Sequence, residues 1–506
     1  MGKKLYLIGM DAVPLWILKE FSDQRGMSPF KRLLDKDLIR NMESTLPPMT
    51  GPAWPSIYTG LEPGEHGVPD FFVMKWDYTP DLVYYDSEKM PPFWHALSEH
   101  GLRSLIITPA TDIILSRDRN VDMITGFPLK SRANSSELEG LMKKHDFNGE
   151  PDIEKDMKDG KMGDEEAAPI FAGSIRKRSK MAMEMLEKKS YDFVFVCFTE
   201  TDRFQHFVLN KRDMGKYLLP LYREIAEFLG YVLNRADKEN ASVMLVSDHG
   251  AQPIKKKFLL NGWLIQNGFA YFNKAISDAF EGKGGVRGPN PALYKMREVI
   301  IKSRLRGMYD KMPHGMKKAV FKTLGSVKGA YSEDYLKFHL FDMNMNKTKA
   351  FAAISNDPVA TIWINDKRFE NGFVKESEKK ELKDRIIREL KLQKAEDGGK
   401  LVVNVWDGDK YYKGTSKFIA PDIMIEVREG YTVDITHSSR STFFMDPEGP
   451  KSGDHIRNGI FGFYSKNAKI ADTRISVYNV APTILDFYGI DSGRLRKNSI
   501  LRKLGK

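Results

Sequence analysis

Leu5-Tyr6-Leu7-Ile8-Gly9-Met10 opens the chain as a short apolar run closed by Asp11, and this pattern decides the fold. The same form, an apolar run ending in polar or glycine-rich residues, recurs at 103–108, at 193–198 and at 242–247. Runs this short, with few polar positions, are strands buried on both faces. Between them lie stretches with helical spacing at 92–99 and 175–188, and another follows near the end at 480–488. The alternation predicts an α/β fold with a mostly parallel central sheet flanked by helices. In such sheets ligands bind beyond the carboxyl ends of the strands, so the residues that follow each run are the place to look for chemistry.

At 506 residues the chain has length for two or three lobes. Hydrophobic residues at 41% and charged residues at 29% exclude a disordered or fibrous chain. No run approaches the roughly 18 apolar residues of a membrane-spanning helix. Asp11 also cuts the first run below the roughly 7 to 15 residues of a secretory signal core. The single cysteine, Cys197, lies inside the 193–198 run and allows no intramolecular disulfide, so a reducing, cytoplasmic setting is expected. A net charge of +11 suits an anionic partner: a phosphate ester, a nucleic acid or a lipid headgroup.

Residues 147–165 are polar and aperiodic and read as an exposed excursion. After the 242–247 run the pattern changes, which divides the chain into a catalytic core of residues 1–254, an inserted cap of 255–340, and the rest of the core in 341–506. Within the cap, the stretch 297–322 interleaves Lys302, Arg304, Arg306, Lys317 and Lys318 with apolar residues. It reads as a solvated amphipathic helix pair, with peripheral contact to an anionic membrane surface as the alternative. A β-rich pattern returns at 359–364, 401–405 and 423–427, and the basic run 494–506 reads as a solvated tail.

Metal-binding side chains stand beside four of the apolar runs. Asp11 follows the first, Asp202 and His206 follow 193–198, Asp248 and His249 follow 242–247, and His455 precedes 459–463. Asp202 and His206 are spaced i, i+4, so a helix after their strand projects both from one face. Six carboxylate and imidazole ligands exceed the needs of one tetrahedral ion and suit two divalent ions, Zn²⁺ or Mn²⁺. Two such ions can stabilise both the entering and the leaving oxygen of a phosphoryl displacement. The hydroxyl such a site needs is offered by Thr50, where the turn after Leu46-Pro47-Pro48 meets a helix start whose free N–H groups and dipole favour an anion. Attack by Thr50 would give a phosphothreonine intermediate that water then hydrolyses. His66 lies in a turn-forming sequence and His95 and His100 in a helical one; all three read as structural.

The series Gly9-Met10-Asp11, Pro48-Met49-Thr50-Gly51-Pro52-Ala53-Trp54, Tyr58-Thr59-Gly60-Leu61 through Glu65-His66-Gly67, Thr201-Asp202 with His206, Ser247-Asp248-His249-Gly250 and Gly453-Asp454-His455 resembles the type I phosphodiesterase and nucleotide pyrophosphatase branch of the alkaline phosphatase superfamily. Segments 346–351, 362–365 and 480–485 are similar to its soluble archaeal and bacterial members. The resemblance implies that Asp202, His206 and His455 hold one metal, and that Asp11, Asp248, His249 and the Thr50 hydroxyl hold the other. It implies hydrolysis of phosphodiester or pyrophosphate bonds, with a phosphomonoesterase as the alternative on the same scaffold. After Gly67 the chain reads Pro69-Asp70-Phe71-Phe72 where those enzymes have an asparagine on a phosphate oxygen, so the resemblance carries the metal chemistry but not nucleotide specificity. The segment Thr50-Gly51-Pro52-Ala53-Trp54 argues against a sulfatase, which needs a Cys/Ser-x-Pro-x-Arg motif at the nucleophile. A non-catalytic protein that binds nucleic acid or anionic lipid would not need the six ligands intact.

Overall fold

The computed structural model describes residues 3–111, 113–127, 130–271, 343–354, 357–412, 419–435 and 443–503. Its centre is a seven-stranded sheet in the order Ile39–Glu43, Asn458–Tyr464, Ser242–Val246, Leu5–Met10, Phe193–Phe198, Ser104–Ile107, Val121–Ile124. The last five run parallel, and Asn458–Tyr464 is antiparallel to both of its neighbours. This is the expected α/β architecture. Every residue of Leu5–Met10 and Phe193–Phe198 is buried, and the two faces of the sheet feed separate cores.

Period-two alternation sends Tyr6, Ile8 and Met10 toward the helices Leu15–Phe21, Asp164–Lys188 and Met214–Glu239, and sends Leu5 and Leu7 toward Thr50–Thr59, Phe93–Glu99 and Val480–Tyr488. Each fully buried side chain contributes about 1.5 to 3 kcal/mol relative to exposure, and this two-sided burial fixes which strand ends lie side by side. Gly9 breaks the apolar run for a steric reason. A Cβ there would stand 2.7 Å from the Trp54 ring and 2.9 Å from Phe195, so only glycine lets the Thr50–Thr59 helix settle on the first strand.

A second, antiparallel sheet is built from Ala350–Ala352, Val359–Ile364, Ile423–Val427 and Val402–Asp407. Beside it, Lys256–Leu259 pairs with Tyr431–Asp434, and the helix Leu260–Gln266 shares a hydrophobic core with Phe351, Ile362 and Ile425. The β-rich segments expected at 359–364, 401–405 and 423–427 therefore form a lobe of their own beside the central sheet. The basic stretch 297–322, with most of the 255–340 segment, lies outside the described residues. No helix among the described residues is long and apolar enough to cross a membrane.

Three sequence expectations need correction. The 147–165 segment is not a plain exposed excursion: the Glu150 side chain is 2% exposed and pairs with the fully buried Arg178. The helix expected at 175–188 begins at Asp164, where Asp164, Glu165 and Glu166 place negative charge on its positive end. The C-terminal run is also no free tail through Lys503, because Leu501–Lys503 pairs with Ala468–Ile470 and Ile500 and Leu501 are buried.

Candidate metal centre

Three parallel strands, Leu5–Met10, Phe193–Phe198 and Ser242–Val246, end together and deliver Asp11, the helix Glu200–Val208 and the pair Asp248-His249 to one edge. His455 arrives differently. The strand Gly453–Ile456 pairs antiparallel with Gly250–Pro253, which sets His455 opposite Ala251. A Cβ on Gly453 would stand 2.4 Å from the Gln205 carbonyl oxygen, so glycine is what lets this strand press against the helix carrying Asp202 and His206. All six expected ligands and Thr50 are thereby brought together.

The inner group is almost wholly buried: Asp11 is 1% exposed, and Asp248 and His249 are 0%. Thr50, the first residue of its helix, donates from Oγ1 to Asp11 Oδ1 at 3.2 Å and lies 3.4 Å from His249 Nε2. Trp54 Nε1 donates to the other Asp11 oxygen at 3.1 Å, and the Ala12 N–H donates to Asp248 Oδ1 at 3.3 Å. The outer group opens toward solvent, with the His206 side chain 24% exposed and Asp202 15%. His455 Nε2 lies 3.2 Å from Asp202 Oδ1 and 3.1 Å from His206 Nε2. Candidate ligand atoms of Asp202, His206 and His455, and likewise those of Asp11, Asp202 and His249, lie within 4.8 Å of one another, so Asp202 stands at the join.

Hydrogen bonding assigns the imidazole tautomers, and the tautomers point to cations. His249 Nδ1 faces the Gly250 carbonyl at 3.2 Å, and His206 Nδ1 faces the Gly453 carbonyl at 3.0 Å. His455 Nδ1 faces Asp357 Oδ1 at 3.1 Å. For His249 and His206, Nδ1 therefore donates and Nε2 presents a lone pair to the cluster. The buried Asp248 Oδ2 accepts no hydrogen bond, and its neighbour at 3.2 Å is the His249 lone pair. Acceptors that face acceptors in a buried setting repel unless positive charge lies between them. The mixed carboxylate and imidazole donor set fits divalent ions of intermediate hardness.

Proton affinities record the same crowding. Burial, with the charges of Asp248 and Asp202, holds the Asp11 carboxyl well above its usual range, and burial with the Asp202 charge pushes Asp248 to about 8. Burial, then the neighbouring His455, drops His249 to about 3. At the mouth the pairing reverses these signs. For His455 burial is outweighed by the Asp357 and Asp202 carboxylates, which hold the imidazole high, and for Asp202 burial is outweighed by His206 and His455, which hold the carboxyl low.

Asp357 escaped the sequence reading. It stands just before the strand Val359–Ile364 of the antiparallel lobe, in no motif, and is buried against His455. A carboxylate on the far nitrogen of a metal-binding histidine fixes its tautomer and raises its basicity. Asp357→Asn, which removes the charge and keeps the shape, is expected to weaken metal binding at the outer group about 10- to 100-fold. Titration against a chromogenic chelator measures this, and an unchanged affinity would remove Asp357 from that role.

The Glu200–Val208 helix is anchored from beneath by charges that no motif announced. Arg178, 0% exposed, donates to Glu200 Oε1 at 2.8 Å and to the Cys197 carbonyl at 2.6 Å, while Arg203 pairs with Glu150 and Glu154. His66 stays outside the cluster, as expected. It accepts the Val68 N–H at Nδ1 and lies 2.9 Å from Ser56 Oγ, and burial lowers it to about 3. His95 pairs with Asp118, and His100 is exposed. Asp70 is buried, its carboxyl pushed up to about 7 by burial and by the charge of Asp357, and the adjoining Phe71 packs over Gly51.

A model of the type I phosphodiesterase/nucleotide pyrophosphatase family matches residues 5–455, and the chain belongs to that family. Phosphonoacetate hydrolase from Sinorhizobium meliloti 1021 has a similar solved structure. Its complexes with phosphonoformate and phosphonoacetate give TM-scores of 0.53 and 0.52 at 13% and 12% identity, each covering 96% of this chain and 94% of that one. Murine ectonucleotide pyrophosphatase/phosphodiesterase 5 aligns over 99% of this chain and 100% of that one, at 11% identity and a TM-score of 0.46. At 12% and 13% identity the phosphonoacetate hydrolase structures establish a shared fold. No curated protein sequence matches the chain significantly. Family membership makes the protein a metal-dependent hydrolase of the phosphodiesterase and pyrophosphatase kind.

Proposed function

We propose that the protein cleaves phosphodiester or pyrophosphate bonds with two divalent ions, zinc or manganese, through a phosphothreonine formed on Thr50. The observation that carries this reading is the place of the Thr50 hydroxyl, at an uncapped helix start, 3.2 Å from Asp11 and 3.4 Å from His249. Asp11, Asp248, His249 and Thr50 would hold one ion, and Asp202, His206 and His455 the other. When bound, the ions would supply Lewis acidity at the phosphoryl oxygens and favour loss of the Thr50 proton.

Thr50 Oγ1 forms a bond to phosphorus as the bond from phosphorus to the leaving oxygen breaks, and that oxygen departs as an alcohol or phosphate after taking a proton. Water then attacks phosphorus, the Oγ1–phosphorus bond breaks, and Thr50 regains its proton. Trp54 Nε1 holds Asp11 on one oxygen and leaves the other for Thr50. The start of the Thr50–Thr59 helix offers N–H groups and positive potential to the phosphoryl oxygens.

A panel of chromogenic phosphate mono- and diesters, assayed with Zn²⁺, Mn²⁺ or Mg²⁺, tests the reading. Metal-dependent turnover with diester favoured over monoester is expected. A monoester preference would select the phosphomonoesterase alternative, and turnover unaffected by chelation would refute the metal assignment.

A further inference from the structure

We infer that Tyr411 and Tyr412, on the antiparallel lobe, are positioning residues that set Thr50 for attack; the inference rests on the reading of Thr50 as nucleophile. Both backbone polar atoms of Leu46 are taken by these two phenols. The Leu46 N–H donates to Tyr411 Oη at 2.8 Å, and Tyr412 Oη donates to the Leu46 carbonyl at 3.1 Å. The Leu46 side chain sits in a small buried cluster with Tyr412, Val359 and Met424, all from the antiparallel lobe. Tyr411 Oη also lies 3.1 Å from Tyr478 Oη, in the short helix Val477–Asn479 that follows the central sheet.

Only Pro47, Pro48 and Met49 separate this anchor from Thr50. Two prolines fix φ at successive positions, so the link has little freedom, and a shift at Leu46 passes to the helix start. The link is tied further by the Thr45 hydroxyl, which donates to the Pro47 carbonyl at 2.8 Å, and by the Met49 N–H, which donates to the same oxygen at 3.1 Å. The anchoring strand Val359–Ile364 follows directly on Asp357-Pro358, and Asp357 faces His455. One lobe therefore touches both the nucleophile segment and a ligand of the outer group, and sets their separation.

Tyr411→Phe and Tyr412→Phe keep the rings and remove one hydroxyl each, so either serves if the other fails to fold. Each is expected to lower kcat for a chromogenic diester about 10- to 100-fold, the scale of a small misplacement of a reacting group. KM and metal content should stay near the wild-type values, and the melting temperature should fall only modestly, as when a buried backbone group loses its partner. In a Thr50→Ala background the same changes should have no further effect, because groups that act through one atom are not additive. Wild-type turnover in both tyrosine variants while Thr50→Ala is inactive would overturn the positioning role and leave the nucleophile standing. So would a loss confined to KM or stability, or an equal loss in the Thr50→Ala background. Wild-type turnover in Thr50→Ala itself would overturn the Thr50 reading, and the tyrosine inference with it.

Discussion

Thr50→Ala is expected to lower turnover of a chromogenic phosphate diester by about three to six orders of magnitude, the range common when a nucleophile is lost, with two ions still bound per chain. Alanine is a good helix former, so the start of Thr50–Thr59 should persist. Asp11, Asp248 and His249 keep their carboxylate and imidazole atoms, so the inner group loses one weak ligand and keeps three strong ones. Thr50→Ser should retain much of the activity, because the attacking oxygen remains. Two in-line displacements invert phosphorus twice, so a substrate chiral at phosphorus should be hydrolysed with net retention. Inversion would mean that water attacks directly, and Thr50 would then serve only to hold a metal or start the helix.

His206→Ala and His455→Ala are each expected to reduce the metal content from two ions per chain to one and to lower turnover on the order of 10³-fold. That loss follows if the outer ion contributes several kcal/mol of transition-state charge stabilisation, at about 1.4 kcal/mol per tenfold. The fold should survive. His206 is partly exposed at the mouth, so shortening it opens no core cavity, and the sheet beneath Asp202 is buried independently of it. The Asp357 carboxylate would lose its imidazole partner in His455→Ala, so that variant should melt lower than His206→Ala. Elemental analysis of metal-loaded protein decides the matter, and full activity with one ion or none would sink the two-metal reading.

These expectations rest on residues that differ greatly in how plainly they could be read. Leu5–Met10 and Phe193–Phe198 were legible to the residue, because a strand buried on both faces must be apolar at nearly every position and the chain marks its end with a polar residue. The i, i+4 spacing of Asp202 and His206 was legible because a helix converts sequence distance directly into direction. Asp164 was not legible as a helix start, since its run of acidic residues resembles a loop until the dipole of a long buried helix gives those charges a purpose. Ile500 and Leu501 vanished in a basic tail, because two apolar residues show no period.

By itself, then, the chain determined the strands buried on both faces, the α/β class, and which carboxylates, imidazoles and hydroxyl carry the candidate chemistry, since these follow from local periodicity and from chemistry carried on single residues. Only the tertiary structure decided that Asp357 backs His455, that Arg178 and Glu150 sit beneath the Asp202 helix, and that Tyr411 and Tyr412 hold Leu46. Each of these contacts joins residues with no local pattern between them, 98 apart in the first and more than 360 apart in the last. The physical reason is that a buried polar group must find a partner wherever folding brings one within reach, and the burial of two separate sheets, not the spacing of residues along the chain, determined which partners those were.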